Sequence, residues 1–258
     1  MYNQSMNIHD FDVWCRSFLA IDDCVGTDSS LNGLQVGNQN APLKKVAFAV
    51  DACLETFRKA ADEKADLLFV HHGLFWGKPL AVTGSMYERM RILIEGNLAL
   101  YGVHLPLDMH PEWGNNAGLA SVLGLEEQEP FGAYKGLRIG VKGRFSTPMK
   151  RDDVITRLFG GWEESIRMLP FGPEMVSSVG IISGGAPFEV AEAIAEGLDL
   201  YITGDASHSI YHQSLEAGIN VLFGGHYLTE TSGVRAVEKK VREELELETV
   251  FIDVPTGL

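Results

Sequence analysis

The sequence predicts an α/β protein made of two related lobes that arose by internal duplication. Three observations predict this. Short apolar runs alternate with stretches of helical spacing, the pattern of strand–helix–strand units. The pattern over 46–72 returns 133 positions later over 179–205, setting Val46 on Val179, Asp66 on Asp199 and His72 on Asp205. An apolar strand followed by His-x-x-x-carboxylate occurs twice, 122 positions apart, ending in His104 and Asp108 and again in His226 and Glu230. The lobes are taken as 1–128 and 129–258. Because α/β folds carry ligands at the carboxyl ends of their strands, the strand ends are expected to converge on a cleft between the lobes.

The elements follow in order along 258 residues, enough chain to bury a sizeable core. Phe11, Trp14, Phe18 and Leu19 are spaced for a helix over 8–20 behind an Asp10 cap. The glycines of Asn32-Gly-Leu-Gln-Val-Gly37 mark turns, read equally as an ordinary hairpin or as backbone approaching a ligand. Residues 46–50 form a strand ending at Asp51, 54–64 a helix, and 67–70 a strand ending at His71 and His72. Gly73 supplies a tight turn there. Parallel pairing with a right-handed crossover is expected for this unit. A helix over 86–95 leads to a strand over 98–102; residues 111–125 are a turn and a helix that Asn115 or Asn116 caps. Short strands near 137–141 and 163–169 flank a helix at 152–158 in a smaller lobe. The second round runs through strand 179–183, helix 188–196 and strand 200–203, which ends in Gly204 and Asp205. A helix over 232–244 and a strand from Val250 close the chain.

Composition narrows the function classes. Hydrophobic content of 45% and charged content of 22% are ordinary for a soluble globular protein. No apolar run approaches the ~18 residues that span a bilayer, and the N-terminus lacks a basic region followed by an apolar one. Cys15, Cys24 and Cys53 form no Cys-x-x-Cys pair, so a reduced cytoplasmic protein with cysteines as small apolar fillers is expected. A net charge of −14 disfavours nucleic-acid binding, although a metal centre still attracts an anionic small molecule locally.

The strand ends together offer His71, His72, His104, Asp108, Asp205, His226 and Glu230. Mixed imidazole and carboxylate donors suit zinc, manganese, iron, cobalt or nickel, whereas calcium and magnesium prefer oxygen alone. Seven candidates exceed what one tetrahedral ion needs; two ions ~3.5–4 Å apart, sharing a carboxylate and a water, use them economically. His208 and His212 share a helix face and read as a polar surface pair. His110 and Trp113 order the loop around Asn115 and Asn116, while Phe75 and Trp76 read as core aromatics or an apolar pocket wall.

These residues resemble the NIF-three-like family, catalogued as GTP cyclohydrolase 1 type 2 homologues. The resemblance runs through Asn32–Gly37, the Val-His-His-Gly-Leu-Phe-Trp block at 70–76, Leu-Pro-Leu-Asp-Met-His-Pro-Glu-Trp-Gly-Asn-Asn-Ala at 105–117, Ile-Thr-Gly-Asp-Ala-Ser at 202–207, and Gly-Gly-His-Tyr-Leu-Thr-Glu at 224–230. It implies His71 and His226 as ligands of one ion, His72 and Asp108 as ligands of the other, and Glu230 as the bridging carboxylate. His104 takes the place of a substrate-side or proton-shuttling group, or of a positioned structural histidine. Asp205 stands where a glutamate is common, and its shorter side chain argues against a direct catalytic role. The family further implies a ring-shaped homohexamer, a trimer of dimers, and the 50 residues over 129–178 mark a short form without a large inserted domain.

Hydrolysis of a small molecule by a bridging water or hydroxide is the reaction class that follows, with a nucleotide, cyclic amide or phosphoester as substrate. No phosphate-binding Gly-x-x-x-x-Gly-Lys-Ser/Thr or dinucleotide-binding Gly-x-Gly-x-x-Gly motif supports a nucleotide specifically. The alternatives are a non-catalytic protein of metal storage, delivery or insertion, and a regulatory interaction protein.

Overall fold

A computed structural model describes residues 6–258; the first five, part of the N-terminal stretch read for a leader, lie outside the described residues. In chain order the helices are α1 (Ile8–Leu19), α2 (Leu54–Asp62), α3 (Gly84–Glu95), α4 (Leu105–Met109), α5 (Asn115–Leu123), α6 (Arg151–Phe159), α7 (Val190–Ala195), α8 (Tyr211–Ala217), α9 (His226–Thr229) and α10 (Thr231–Glu244). The strands are β1 (Gly33–Val36), β2 (Lys45–Asp51), β3 (Leu67–His72), β4 (Ala99–Gly102), β5 (Glu126–Tyr134), β6 (Leu137–Lys150), β7 (Arg167–Pro170), β8 (Met175–Ile181), β9 (Leu200–Thr203), β10 (Asn220–Phe223) and β11 (Glu248–Phe251). No described helix is long and apolar enough to cross a membrane.

The chain separates into two compact units: one holds the residues up to Leu107 with Val234–Val254, the other Asp108–Gly233 with Pro255–Leu258. This differs from a cut after residue 128. The helix α10 returns to the first unit because Val234, Val237 and Val241 fill its core, and β11 follows by pairing in parallel with β2. Asp108 and α5 belong to the second unit.

In the first unit the sheet order is β1-β4-β3-β2-β11. β2, β3 and β4 pair in parallel, and their apolar runs are buried on both faces, as helices on either side of a parallel sheet require. Alternate residues serve opposite faces. Phe48, Phe69 and Tyr101 meet α1 and α10; Ala47, Leu68 and Val70 meet α2 and α3. Burying each large apolar side chain contributes about 1.5–3 kcal/mol, so a one-residue slip of β3 is strongly disfavoured. The segment 33–36 is not a local hairpin: β1 pairs antiparallel with β4 across a bulge at Gln35, closing that edge of the sheet. Asn7, not Asp10, caps α1, and Asp10 returns the bond to the Asn7 backbone in a capping box. Cys15, Cys24 and Cys53 form no disulfide among the described residues, and the Cys53 thiol caps α2 by accepting from the Thr56 N–H.

In the second unit the order is β5-β6-β8-β9-β10-β7, with β8, β9 and β10 parallel and the others antiparallel. Leu119 and Leu123 of α5 and Val154 and Ile155 of α6 pack on Val179, Ile181, Leu200, Ile202 and Leu222 of the sheet. The short strand read near 137–141 is the start of the 14-residue β6, which forms a long hairpin with β5.

The repeat extends to individual hydrogen bonds. Val46 pairs with Leu67 as Val179 pairs with Leu200. Asp66 accepts from the N–H groups of Lys44 and Lys45, and Asp199 accepts from those of Ser177 and Ser178, each bond 133 residues on from its counterpart. The last strand pair needs one correction. Val70 pairs with Gly102 and Thr203 with Phe223, so the strands match at 121 and the second unit inserts one residue before His226.

Candidate metal centre

Two donor sets sit at strand ends, one in each unit. In the first unit β3 runs through both histidines before Gly73 turns the chain. Gly73 leaves the room that the Gln35 amide occupies, since a Cβ there would fall 2.1 Å from Gln35 Nε2 and displace it. Gln35 accepts from the Leu74 N–H and donates to the Leu31 carbonyl, tying β1 to that turn. His71 is fully buried and His72 half-buried; their rings lie 4.6 Å apart between centroids, and that of His104 lies 5.1 Å from His71 and 5.7 Å from His72. One ring nitrogen from each of His71, His72 and His104 falls within 4.8 Å of the other two, close enough to hold a metal ion.

Each of these rings is oriented through Nδ1. His71 Nδ1 donates to the Val103 carbonyl at 2.9 Å and His72 Nδ1 to Asp51 at 2.8 Å across the β2–β3 pair. His104 Nδ1 donates to Asp28 at 3.0 Å. A carbonyl or carboxylate only accepts, so each Nδ1 carries a proton and Nε2 is the ring nitrogen left for a metal. Asp28 also accepts from the N–H groups of Ser30 and Leu105 and from the Asn32 amide. Its side chain is 2% exposed. Burial pushes its pKa up, but the bonds from His104, Asn32 and Ser30 outweigh that and hold it at about 2. Trp76 stands edge-on to His104 at 4.9 Å, walling the donors, while Phe75 packs into the core.

In the second unit one helical turn spaces the repeated His-x-x-x-carboxylate. His226 opens α9 and its Nε2 lies 3.3 Å from Glu230, which is 3% exposed. Asp205 accepts from His226 Nδ1 at 3.0 Å, the orienting part that Asp51 plays for His72. Burial pulls the His226 pKa down, yet Glu230 and Asp205 outweigh it and raise it to about 9 in the metal-free protein. Asp108 is buried, and its Oδ1 accepts from Asn115 Nδ2 at 2.9 Å and Ser183 Oγ at 3.0 Å. The next residue, Gly184, has φ +64, and a Cβ there would lie 2.1 Å from Glu230 Oε1. The Ser183–Gly184 turn thus holds Asp108 and makes room for Glu230.

Asn115 and Asn116 are not caps; Gly114 takes that place, and both amides are buried as supports of Asp108. His110 Nδ1 accepts from the N–H groups of Glu112 and Trp113, ordering their loop as expected. His208 and His212 are exposed. Sequence reasoning missed Asp28, Asp51, Asn32, Ser183 and Gly184. The Gly184-Gly185 pair after a strand was the one local signal available. The donors are imidazole nitrogens and carboxylate oxygens with fixed second partners, a set that fits borderline divalent metals.

The chain is similar along nearly its whole length to several known proteins. A GTP cyclohydrolase 1 type 2 homolog of Treponema pallidum is 43% identical, over 98% of this chain and all of that one. The homolog of the same name from Archaeoglobus fulgidus is also 43% identical, with the same coverage. The crystal structure of TTHA1606 from Thermus thermophilus superposes with a TM-score of 0.89 at 39% identity, covering 98% of this chain and all of that one. The family model Duf34/NIF3 (NGG1p interacting factor 3) matches residues 6–257, and the chain belongs to that family.

Proposed function

We propose that this protein is a metal-dependent hydrolase of a small molecule, and that His71, His72, Asp108, His226 and Glu230 hold two divalent ions. The observation that carries the reading is the shared use of Nδ1. Four histidines commit it to a carboxylate or carbonyl and so offer Nε2, the arrangement in which outer partners fix ligand imidazoles. Zinc, manganese, iron, cobalt and nickel all suit these donors. Bound ions of this kind acidify water and polarise a carbonyl or phosphoryl oxygen. The chain's own part is to orient and to move protons. Asp51 and Asp205 fix the rings of His72 and His226, while Asp28 stays ionised and steadies positive charge on His104. Held this way, His104 can give or take a proton at Nε2 beside a leaving group.

The name borne by the relatives suggests a purine nucleotide as substrate, and cyclic amides and phosphoesters offer the same kind of bond to activated water. A homohexamer in the cytoplasm belongs to the same reading, and light scattering of the purified protein tests the assembly. The deciding experiment is metal content by mass spectrometry, on wild type and on His72→Ala and Glu230→Ala, beside hydrolysis assays on those substrate classes. About two equivalents per chain, reduced in both variants, with metal-dependent turnover, is expected. A chain that stays empty after reconstitution with zinc, manganese or iron overturns the metal centre; a fully loaded but inert protein overturns the hydrolase.

A further inference from the structure

Within the second unit a cavity of about 540 Å³ adjoins Asp108. That is in the size range of small-molecule sites, ~300–1,000 Å³. Met109, Pro111, Ala117, Pro130 and Val141 supply apolar walls, and two prolines and a thioether present faces suited to a flat ring. The frame is fixed: Asn116, 2% exposed, donates to the carbonyls of Asp108 and Ile139 and accepts from the Ser183 N–H. The cavity therefore keeps its position relative to the Asp108 carboxylate.

Its polar groups decide the class of ligand. His110 lines the cavity, and because its Nδ1 accepts two backbone N–H groups the neutral ring carries its proton on Nε2, a donor. Gln128 also lines it. A register shift in β5 between Glu126 and Glu129, with Glu127 at φ +51, re-aims that side chain, as bulges beside functional sites do. The Gln128 nitrogen donates to the Leu125 carbonyl, so the amide oxygen is its acceptor. Arg138 is ion-paired with Glu192 and Glu129 with Lys142, so both charges beside the cavity are already matched and the lining is poorly suited to a phosphate. A neutral ring with one donor and one acceptor on its edge fits better.

We propose that this cavity seats the neutral heteroaromatic ring of the substrate beside Asp108, His110 donating to the ring's edge and Gln128 accepting from it. The proposal rests on the reading of Asp108 as a metal ligand. Guanosine is the probe, since its six-membered ring carries an N–H beside a carbonyl; ribose is the control without a ring. The protein is labelled with 13C at the methionine methyls, and the Met109 resonance is followed during titration, with metal content measured on the same samples. Guanosine should shift Met109 and ribose should not. Val141→Trp, which fills the cavity, should weaken guanosine about tenfold or more, and Gln128→Ala should weaken it measurably, metal content unchanged in both. Equal shifts with ribose, no guanosine binding at millimolar concentration, or equal affinity in both variants overturns the proposal. Shifts at Met109 that follow protein dilution instead mark a second copy of the chain as occupant and also overturn it. Full metal content without ring binding defeats the cavity alone; ring binding by a protein that takes up no metal defeats the metal reading and leaves the ring site.

Discussion

Asp28→Asn removes one charge from the buried carboxylate that orients His104 of the first donor set. Asp28 accepts from Ser30, Asn32, His104 and Leu105, and its pKa is held at about 2 against an ordinary 3.8. Because the folded value is depressed, its stabilisation is fully present above the unfolded pKa and is lost as pH falls through the folded one. At ~1.4 kcal/mol per unit, the difference is about 2 kcal/mol. The side chain is 2% exposed, so solvent screening takes little from this figure. Urea unfolding of the chelator-treated protein, followed by tryptophan fluorescence, measures it. Wild type should exceed Asp28→Asn by at least about 2 kcal/mol at pH 7, since the amide also turns a donor toward existing donors. The gap should shrink between about pH 4 and pH 2.5. Wild-type and variant curves that stay parallel from pH 7 to pH 2.5 would refute the assignment of Asp28 as an ionised anchor for His104.

Gly184→Ala places a methyl 2.1 Å from Glu230 Oε1 on a left-handed backbone; it should cost about 1–2 kcal/mol in thermal unfolding and lower metal content. Asp205→Asn leaves His226 in place without its charged orienter, and competition with a chelator should show metal affinity about 10–100-fold weaker. His226 sits at about 9 in the metal-free protein, above its ordinary 6.5, so its contribution to stability is fully present below about 6.5 and lost as pH rises through about 9. Urea midpoints of metal-free protein should fall over that window and those of His226→Ala should not. Since metal displaces that same proton, zinc affinity should rise on the order of tenfold per pH unit up to about 9, a slope isothermal titration reads directly.

The strands and donors were legible because each carries its signal locally. A buried parallel strand is a near-continuous apolar run, and the run over 67–70 ends where polar residues begin. The partners that aim the donors carry no such signal. Asp28 lies 76 residues from His104, in a loop whose composition is that of any surface turn. Ser183 reaches Asp108 across 75 residues, and Asn116 reads as a helix cap because buried amides and capping amides are the same residue types. The β5–β6 hairpin escaped for a different reason. Pro130, Gly132 and Gly136 break its alternation, and most of β5 is exposed, so period-two patterning fades.

The two units also show how a repeated strand end came to hold different parts. Shifted by 133, His72 falls on Asp205 and Asp51 on Gly184. In the first unit the strand-end residue is the donor and its neighbour on β2 aims it. In the second, the equivalent residue is itself the aiming group, directed at His226, and the neighbouring strand end becomes a glycine. That glycine matters because the following carboxylate is also longer, Glu230 where the first repeat has Asp108. A Cβ at 184 would occupy the space that the extra methylene of Glu230 carries its oxygen into. Asp205, Gly184 and Glu230 are therefore best understood as one coupled change. Restoring aspartate at 184 should be tolerated only if Glu230 is shortened to aspartate at the same time, and the Gly184→Asp, Glu230→Asp double variant should be more stable to urea than Gly184→Asp alone.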